Sequence, residues 1–285
     1  MTIAARGQTL VDLHTAPELL RVVNVWDAIT AAAIGSLPET KALATASHSI
    51  AATFGYEDGE RIPLDLHLDM IGRIVAAVEQ PVSADLESGY GDAGETVRRA
   101  IGVGVVGANL EDGMRPLDDS IRAVEAAVAA AQAEGVPFAL NARTDAYVLG
   151  GDRDRSDVLA DAVERTRAYM AAGATSVFVP GPLTEDEVRT LVEAVGPQRL
   201  TVIGVPGSLS PARFEELGVG RISYGPWTQR VALTALQDTA KDLYAGGALP
   251  EGTRPLSTDA VPASPRSTST GARQARSSPR PPRPG

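Results

Sequence analysis

Apolar and polar positions alternate along this chain at the scale of whole elements. Eight short, near-continuous runs rich in Val, Ile, Ala and Leu recur in order: 21–26, 42–47, 81–86, 107–111, 138–143, 176–180, 200–205 and 221–224. Uninterrupted apolar runs of this length read as parallel strands buried on both faces, whereas surface strands alternate with period two. The segments between them carry helical spacing and end signals. Asp118 and Asp119 open a helix through Ile121, Val124 and Val128 that ends at Gly135. Ser156 precedes a helix closed by Gly173, and Thr184 with Glu187 three residues on forms a capping box. Ser210 precedes Pro211 at a first helical position, and Gly218 ends that helix. Strand and helix thus alternate eight times, which predicts an α/β fold, a (β/α)8 TIM barrel, with a doubly wound open sheet as the alternative.

The length of 285 residues suits one such barrel, although two smaller domains would also fit it. Residues 1–20 read as an N-terminal segment and 21–249 as the barrel. Residues 250–285 read as a disordered tail, because from Glu251 onward the chain holds six arginines, two acids, many Ser, Thr and Pro, and no aromatic residue. No apolar run reaches membrane-spanning length, and Met1–Val11 does not resemble a signal peptide. With no cysteine there is neither a disulfide nor a thiolate catalyst, and a cytoplasmic location is expected. The net charge of −10 argues against nucleic acid as the main partner.

Chemistry in such a barrel collects at the C-terminal ends of the strands. Runs three, four and five end in Asp85-Leu86-Glu87-Ser88-Gly89-Tyr90-Gly91, Glu111-Asp112-Gly113 and Asn141-Ala142-Arg143-Thr144-Asp145. Asp85 and Glu87, two apart, share one strand face. Carboxylates gathered at one mouth repel unless a cation sits among them, and oxygen donors without nearby Cys suit Mg²⁺ or Mn²⁺. Arg143 has the forked donors for a substrate carboxylate or phosphonate. The plainer reading is a set of loop ion pairs, with Arg143 on Asp145 or Asp112. His48, at the end of run two, is a proton shuttle or an ordinary loop histidine; His14 and His67 read as structural or exposed.

With Asn24-Val25-Trp26-Asp27-Ala28, the stretch from Ser47 to Glu60, and Ala142-Arg143-Thr144-Asp145-Ala146, these motifs resemble the isocitrate lyase/phosphoenolpyruvate mutase superfamily over residues 22–236. The resemblance implies metal at Asp85, Glu87 and Glu111, partly through water. It implies substrate oxygens held near Ala46, Ser47 and His48, and Arg143 on the departing group. Asp58 matches an aspartate needed by the mutase branch, and Trp26, Gly89 and Tyr90 fall in substrate-contacting stretches. It also implies a dimer or tetramer with the last helix exchanged between subunits.

Departures from the superfamily pattern narrow the chemistry. Its lyase branch carries Lys-x-Cys-Gly-His after the Glu-Asp pair, with the Cys as proton donor. Here the stretch is Gly113-Met114-Arg115-Pro116-Leu117-Asp118-Asp119-Ser120, and there is no Cys. The mutase branch carries a longer gating loop with Lys and Asn at this place, and a His where this chain has Val179-Pro180. The expectation is therefore a Mg²⁺-dependent carbon–carbon lyase or decarboxylase for a small 2-oxo or 2-hydroxy dicarboxylate, acting through a pyruvate-like enolate. Phosphonopyruvate hydrolysis or mutase chemistry, and a non-catalytic 2-oxo-acid-binding barrel, are the alternatives.

Overall fold

The structure is a computed structural model and describes residues 1–255. The arginine-rich stretch beyond residue 255, most of the expected tail, lies outside them. Among the described residues nine strands follow in chain order: β1 (Leu20–Arg21), β2 (Val23–Val25), β3 (Leu43–Thr45), β4 (Val82–Asp85), β5 (Gly107–Glu111), β6 (Ala139–Arg143), β7 (Ser176–Phe178), β8 (Leu200–Ile203) and β9 (Arg221–Ser223). Ten helices accompany them: α1 (Ile3–Thr15), α2 (Ala28–Gly35), α3 (Ser47–Thr53), α4 (Leu64–Ala76), α5 (Ala93–Gly102), α6 (Leu117–Ala133), α7 (Arg155–Ala171), α8 (Glu185–Val195), α9 (Pro211–Glu216) and α10 (Trp227–Tyr244).

All pairings are parallel, and each strand from β2 to β9 pairs with the next in sequence. β1 and β2 are two halves of one run: β1 pairs with β9 and β2 with β3. The split run closes the sheet on itself, so the fold is the (β/α)8 barrel and not the open sheet. Every expected strand run contains an observed strand. Ser47 is the exception in detail, because it begins α3 instead of ending the second strand; its backbone N–H turns toward Asp85 Oδ2 at 3.4 Å. The helix expected after Ser156 begins a residue earlier, at Arg155, whose guanidinium is held by Glu187 and the carbonyl of Pro182. The capping box of Thr184 and Glu187 and the Ser210–Pro211 start form as expected.

The barrel interior is more polar than the apolar runs suggest. Asn141 donates to Asn109 Oδ1 at 2.7 Å, Ser176 donates to Asn141 Oδ1 at 2.9 Å, and His14 Nδ1 lies 3.1 Å from Ser176 Oγ. Arg221 is fully buried on β9, with Ser83 Oγ 3.4 Å away. His14 is thus an interior residue, brought there by α1, which packs under the barrel's N-terminal end. Position 107 must be glycine for that packing: a Cβ there would lie 2.6 Å from Leu10 Cδ2 and 2.8 Å from the Ala139 carbonyl oxygen.

At the other end of the chain α10 leaves Val231, Leu233 and Leu236 more than half exposed. Among the described residues no helix is long and apolar enough to cross a membrane.

Leu10 is fully buried beneath the strands. Leu10→Ala is expected to lower the unfolding free energy by about 2–5 kcal/mol. The measurement is the urea midpoint, which should fall at an unchanged slope.

Candidate active site

Parallel register sets the site. Glu111, Arg143 and Phe178 are Cα partners across β5, β6 and β7, and Asp85 is the partner of Asn109 on β5. Neighbouring strands therefore deliver carboxylate, guanidinium and aromatic ring side by side at one mouth. There a cavity of about 160 Å³ is lined by Ala46, Ser47, His48, Asp58, Asp85 and Arg143, all six expected from sequence.

Arg143 is the electrostatic hub of this mouth. Its Nη1 lies 2.9 Å from Glu111 Oε2 and its Nη2 2.7 Å from Asp145 Oδ1, and its guanidinium carbon sits 5.9 Å from the centroid of the Phe178 ring. Of the two plainer partners expected for it, Asp145 is used and Asp112 is not. Burial disfavours its charge, but Glu111 and Asp145 outweigh that and hold it protonated. Ser47 Oγ stands 3.1 Å from Asp85 Oδ2 and 3.3 Å from Asp58 Oδ1, so its single proton serves one carboxylate at a time. His48 Nδ1 has no partner among the described residues.

Glu87 and Tyr90 belong to a layer behind the cavity. Glu87 is buried with φ +51°; its Oε2 accepts the Glu60 backbone N–H, and its Oε1 lies 3.3 Å from the Tyr90 hydroxyl. Glu60 in turn accepts from Ser88 Oγ at 2.7 Å and from the Tyr90 N–H at 2.6 Å. The loops after α3 and β4 are thus locked together through Glu60. A Cβ on Gly89 would meet the Ala93 Cα at 2.8 Å, and its φ is +96°, so glycine is required there for the turn itself. His67, fully buried, holds the Asp85 carbonyl oxygen through Nε2 at 2.9 Å. Trp26 does not reach the cavity: it lines a separate apolar cleft of about 190 Å³ between α2 and α10. Asp27 caps α2 in a capping box with Thr30.

Among the described residues no group of three His, Cys, Asp or Glu side chains stands close enough to hold a metal ion unaided. The donor chemistry nonetheless fits a hard divalent cation. Asp85 offers its carboxylate to the cavity, and every nearby charged donor is oxygen. Burial, then the charges of Asp85 and Asp58, push Glu87 up to about 7. Burial pushes Glu111 up to about 8, against Arg143 and helped by Asp145 and Asp85. A cation at Asp85 would relieve that crowding.

Several contributors were missed in the sequence. Asn24 closes the barrel: its Nδ2 donates to the Thr45 carbonyl, and its Oδ1 accepts from the Tyr224 and Gly225 N–H groups, all at 2.8 Å. Asn109 and Ser223 also face the cavity. The available signal was a polar residue inside an otherwise apolar strand run.

The loop between β5 and α6 is short and pinned. Arg115 reaches the carbonyls of Asp112 at 3.1 Å, Glu111 at 3.2 Å and Ser88 at 3.5 Å. The buried Asp112 carboxylate accepts from Tyr169 Oη at 2.6 Å, Arg165 Nη1 at 3.1 Å and the N–H groups of Met114 at 2.9 Å and Asp145 at 3.0 Å. It thereby fixes the residue that holds Arg143.

A closed parallel barrel with acids and one shared arginine at its C-terminal mouth places its charge where α/β-barrel enzymes carry their active sites. The phosphoenolpyruvate phosphomutase family profile matches residues 10–244, and the chain belongs to this family, within the phosphoenolpyruvate mutase/isocitrate lyase superfamily of lyases and mutases. It is 31% identical over 241 residues to an uncharacterised protein of Mycobacterium tuberculosis, covering 84% of this chain and 90% of that one. It is 27% identical over 246 residues to an oxaloacetate decarboxylase of Paraburkholderia xenovorans, covering 80% and 79%. A solved structure from Burkholderia cenocepacia J2315, provisionally assigned as a phosphonomutase, superposes with TM-score 0.78 at 35% identity, covering 86% of this chain and all of that one.

Asp112→Ala would leave the buried Arg165 with Asp161 as its remaining carboxylate, and would strip the Tyr169 hydroxyl and the Met114 and Asp145 N–H groups of their shared acceptor. The expected cost is about 3–5 kcal/mol of stability, whereas Tyr169→Phe, which removes the hydroxyl's hydrogen bonds to Asp112 and Arg165 but no charge, should cost about 1.5–3 kcal/mol. Chemical denaturation of the two variants checks the ranking.

Proposed function

We propose that this protein is a Mg²⁺-dependent carbon–carbon lyase or decarboxylase for a small 2-oxo or 2-hydroxy dicarboxylate, acting through a pyruvate-like enolate. The observation that carries the reading is the convergence of Asp85, Ser47 and Arg143 on one small cavity beside a short, pinned loop. Asp85 would hold the ion, with Glu87 and Glu111 behind it. When bound, Mg²⁺ would supply Lewis-acid stabilisation of the negative charge that develops on substrate oxygens. Ala46 and Ser47 would position those oxygens, and Arg143 would grip the second carboxylate through its forked donors. In a decarboxylation the bond to the departing carboxylate breaks, CO₂ leaves, and its electron pair forms the enolate. A proton from water then completes the 2-oxo acid, with His48 and Asp58 placed to carry protons at the cavity wall.

Carbon–phosphorus chemistry is the second reading, favoured by the phosphomutase profile match. It is less suited to this mouth, because a reactive phosphoryl group needs water kept away and the β5–α6 loop is too short to cover it. The assembly we propose is a homo-oligomer in which the exposed apolar face of α10 meets a second copy, next to the Trp26 cleft.

The decisive panel offers the protein and Mg²⁺ oxaloacetate, substituted malates and phosphonopyruvate, with and without EDTA. Pyruvate or a homologous 2-oxo acid without phosphate, lost on chelation, is the expected result. Phosphate release would move the protein to the second reading, and no turnover would leave a binding-only barrel. Asp85→Asn should lower kcat/KM at least about 100-fold. Sedimentation should give a dimer or tetramer, with Leu236→Glu shifting it toward monomer.

A further inference from the structure

A thread of hydrogen bonds runs through the barrel interior from α1 to the cavity. His14 Nδ1 lies 3.1 Å from Ser176 Oγ, Ser176 Oγ 2.9 Å from Asn141 Oδ1, and Asn141 Nδ2 2.7 Å from Asn109 Oδ1. All four side chains are buried, and Asn109 lines the cavity. The thread has two self-consistent directions. A serine hydroxyl has one proton, and an amide has one donor end and one acceptor end, so each link fixes the next. With the His14 proton on Nδ1, every donor points toward Asn109, whose Oδ1 accepts and whose N–H₂ is left for the cavity. With the proton on Nε2, Nδ1 must accept, every link reverses, and Asn109 turns its Oδ1 to the cavity.

The surroundings of His14 select the first direction. Its Nε2 is buried and has no partner among the described residues, so a proton there would have no acceptor. The charges that reach the ring are those of Arg221 and Arg199, and together with burial they keep it neutral. A bare lone pair facing such cations is favourable and an N–H is not. Arg221 is itself fully buried, with Nε and Nη2 unpartnered among the described residues. Asp85, the Cα partner of Asn109, turns its Oδ2 to Ser47 and makes no bond to the Asn109 amide. We infer that Asn109 binds a substrate oxygen through its amide N–H₂, and that His14, Ser176 and Asn141 are positioning residues that hold this donor toward the cavity. A carboxylate, carbonyl or enolate oxygen is accepted at such a donor, whereas an ammonium group is not. The inference rests on the cavity being the site for a small carboxylate substrate, as proposed above, and on no step of its turnover.

Nitrogen-15 spectra of the full chain at neutral pH read both parts. The His14 resonances should show a protonated Nδ1 and a bare Nε2. The Asn109 side-chain amide pair, identified by its loss in Asn109→Asp, should shift on titration with malonate in the presence of Mg²⁺. Asn109→Asp keeps an acceptor for Asn141 but has no amide, and should weaken malonate at least about tenfold by calorimetry. Ser176→Ala cuts the thread, so the Asn109 pair should move or double, and malonate affinity should fall by about twofold when both orientations are equally filled. The His14 tautomer and the malonate shift are read on the unaltered chain, so the test survives a variant that fails to fold. A proton on His14 Nε2, or spectra and affinity unchanged in Ser176→Ala, would overturn the relay. Malonate that binds by calorimetry without moving the Asn109 pair would overturn the donor alone. Malonate that does not bind would overturn the carboxylate reading of the cavity and the donor with it. A malonate shift with no turnover of any dicarboxylate would leave the donor standing and remove the lyase reading.

Discussion

Like charges must be held together at one end of a barrel, and the rest of the structure is arranged around that requirement. Burial raises Glu87, Glu111 and Asp145; the charges of Asp85 and Asp58 add to it at Glu87, those of Asp145, Asp85 and Glu87 at Glu111, and that of Asp112 at Asp145. Among the described residues, the counter-charge in their midst is the Arg143 guanidinium, shared between Glu111 and Asp145. A carboxylate pair in so little solvent is unfavourable without such a partner. The position of Arg143 therefore has to be fixed by more than its own ion pairs.

That fixation comes from the layer behind. Asp112 ties the β5 loop to the β6 loop and to α7 through Arg165 and Tyr169. Glu60 ties the loops after α3 and β4, and His67 holds the carbonyl of Asp85. Asp112 and His67 are buried and Glu60 is half-buried, and each meets partners on other elements. The mouth is consequently held firmly on its charged side, while Phe178, Ile203, Ser223 and Pro226 complete its wall. The short β5–α6 loop is pinned beside it by Arg115.

The sequence by itself determined a parallel α/β fold and pointed to the barrel, because eight buried strands alternating with amphipathic helices need cover on both faces of a parallel sheet; closure excluded the open sheet only in the structure. It also determined which strand ends carry charge, since Asp85, Glu111 and Arg143 stand where apolar runs stop. The capping box at Thr184 and the proline start at Pro211 were equally legible, because their bonds are local. Only the tertiary structure decided who faces whom. Trp26, two residues after Asn24, lines a separate cleft, while Asn24 reaches across to Tyr224 and Gly225, 200 and 201 residues away in sequence. Glu87 proved to lie behind the cavity because the backbone turns to positive φ there, which strand alternation does not foresee. His14, Ile203 and Pro226 gained their places through barrel closure and the packing of α1. Spacing along a chain encodes the period of one element, but contacts between elements depend on register and closure, which no single segment contains.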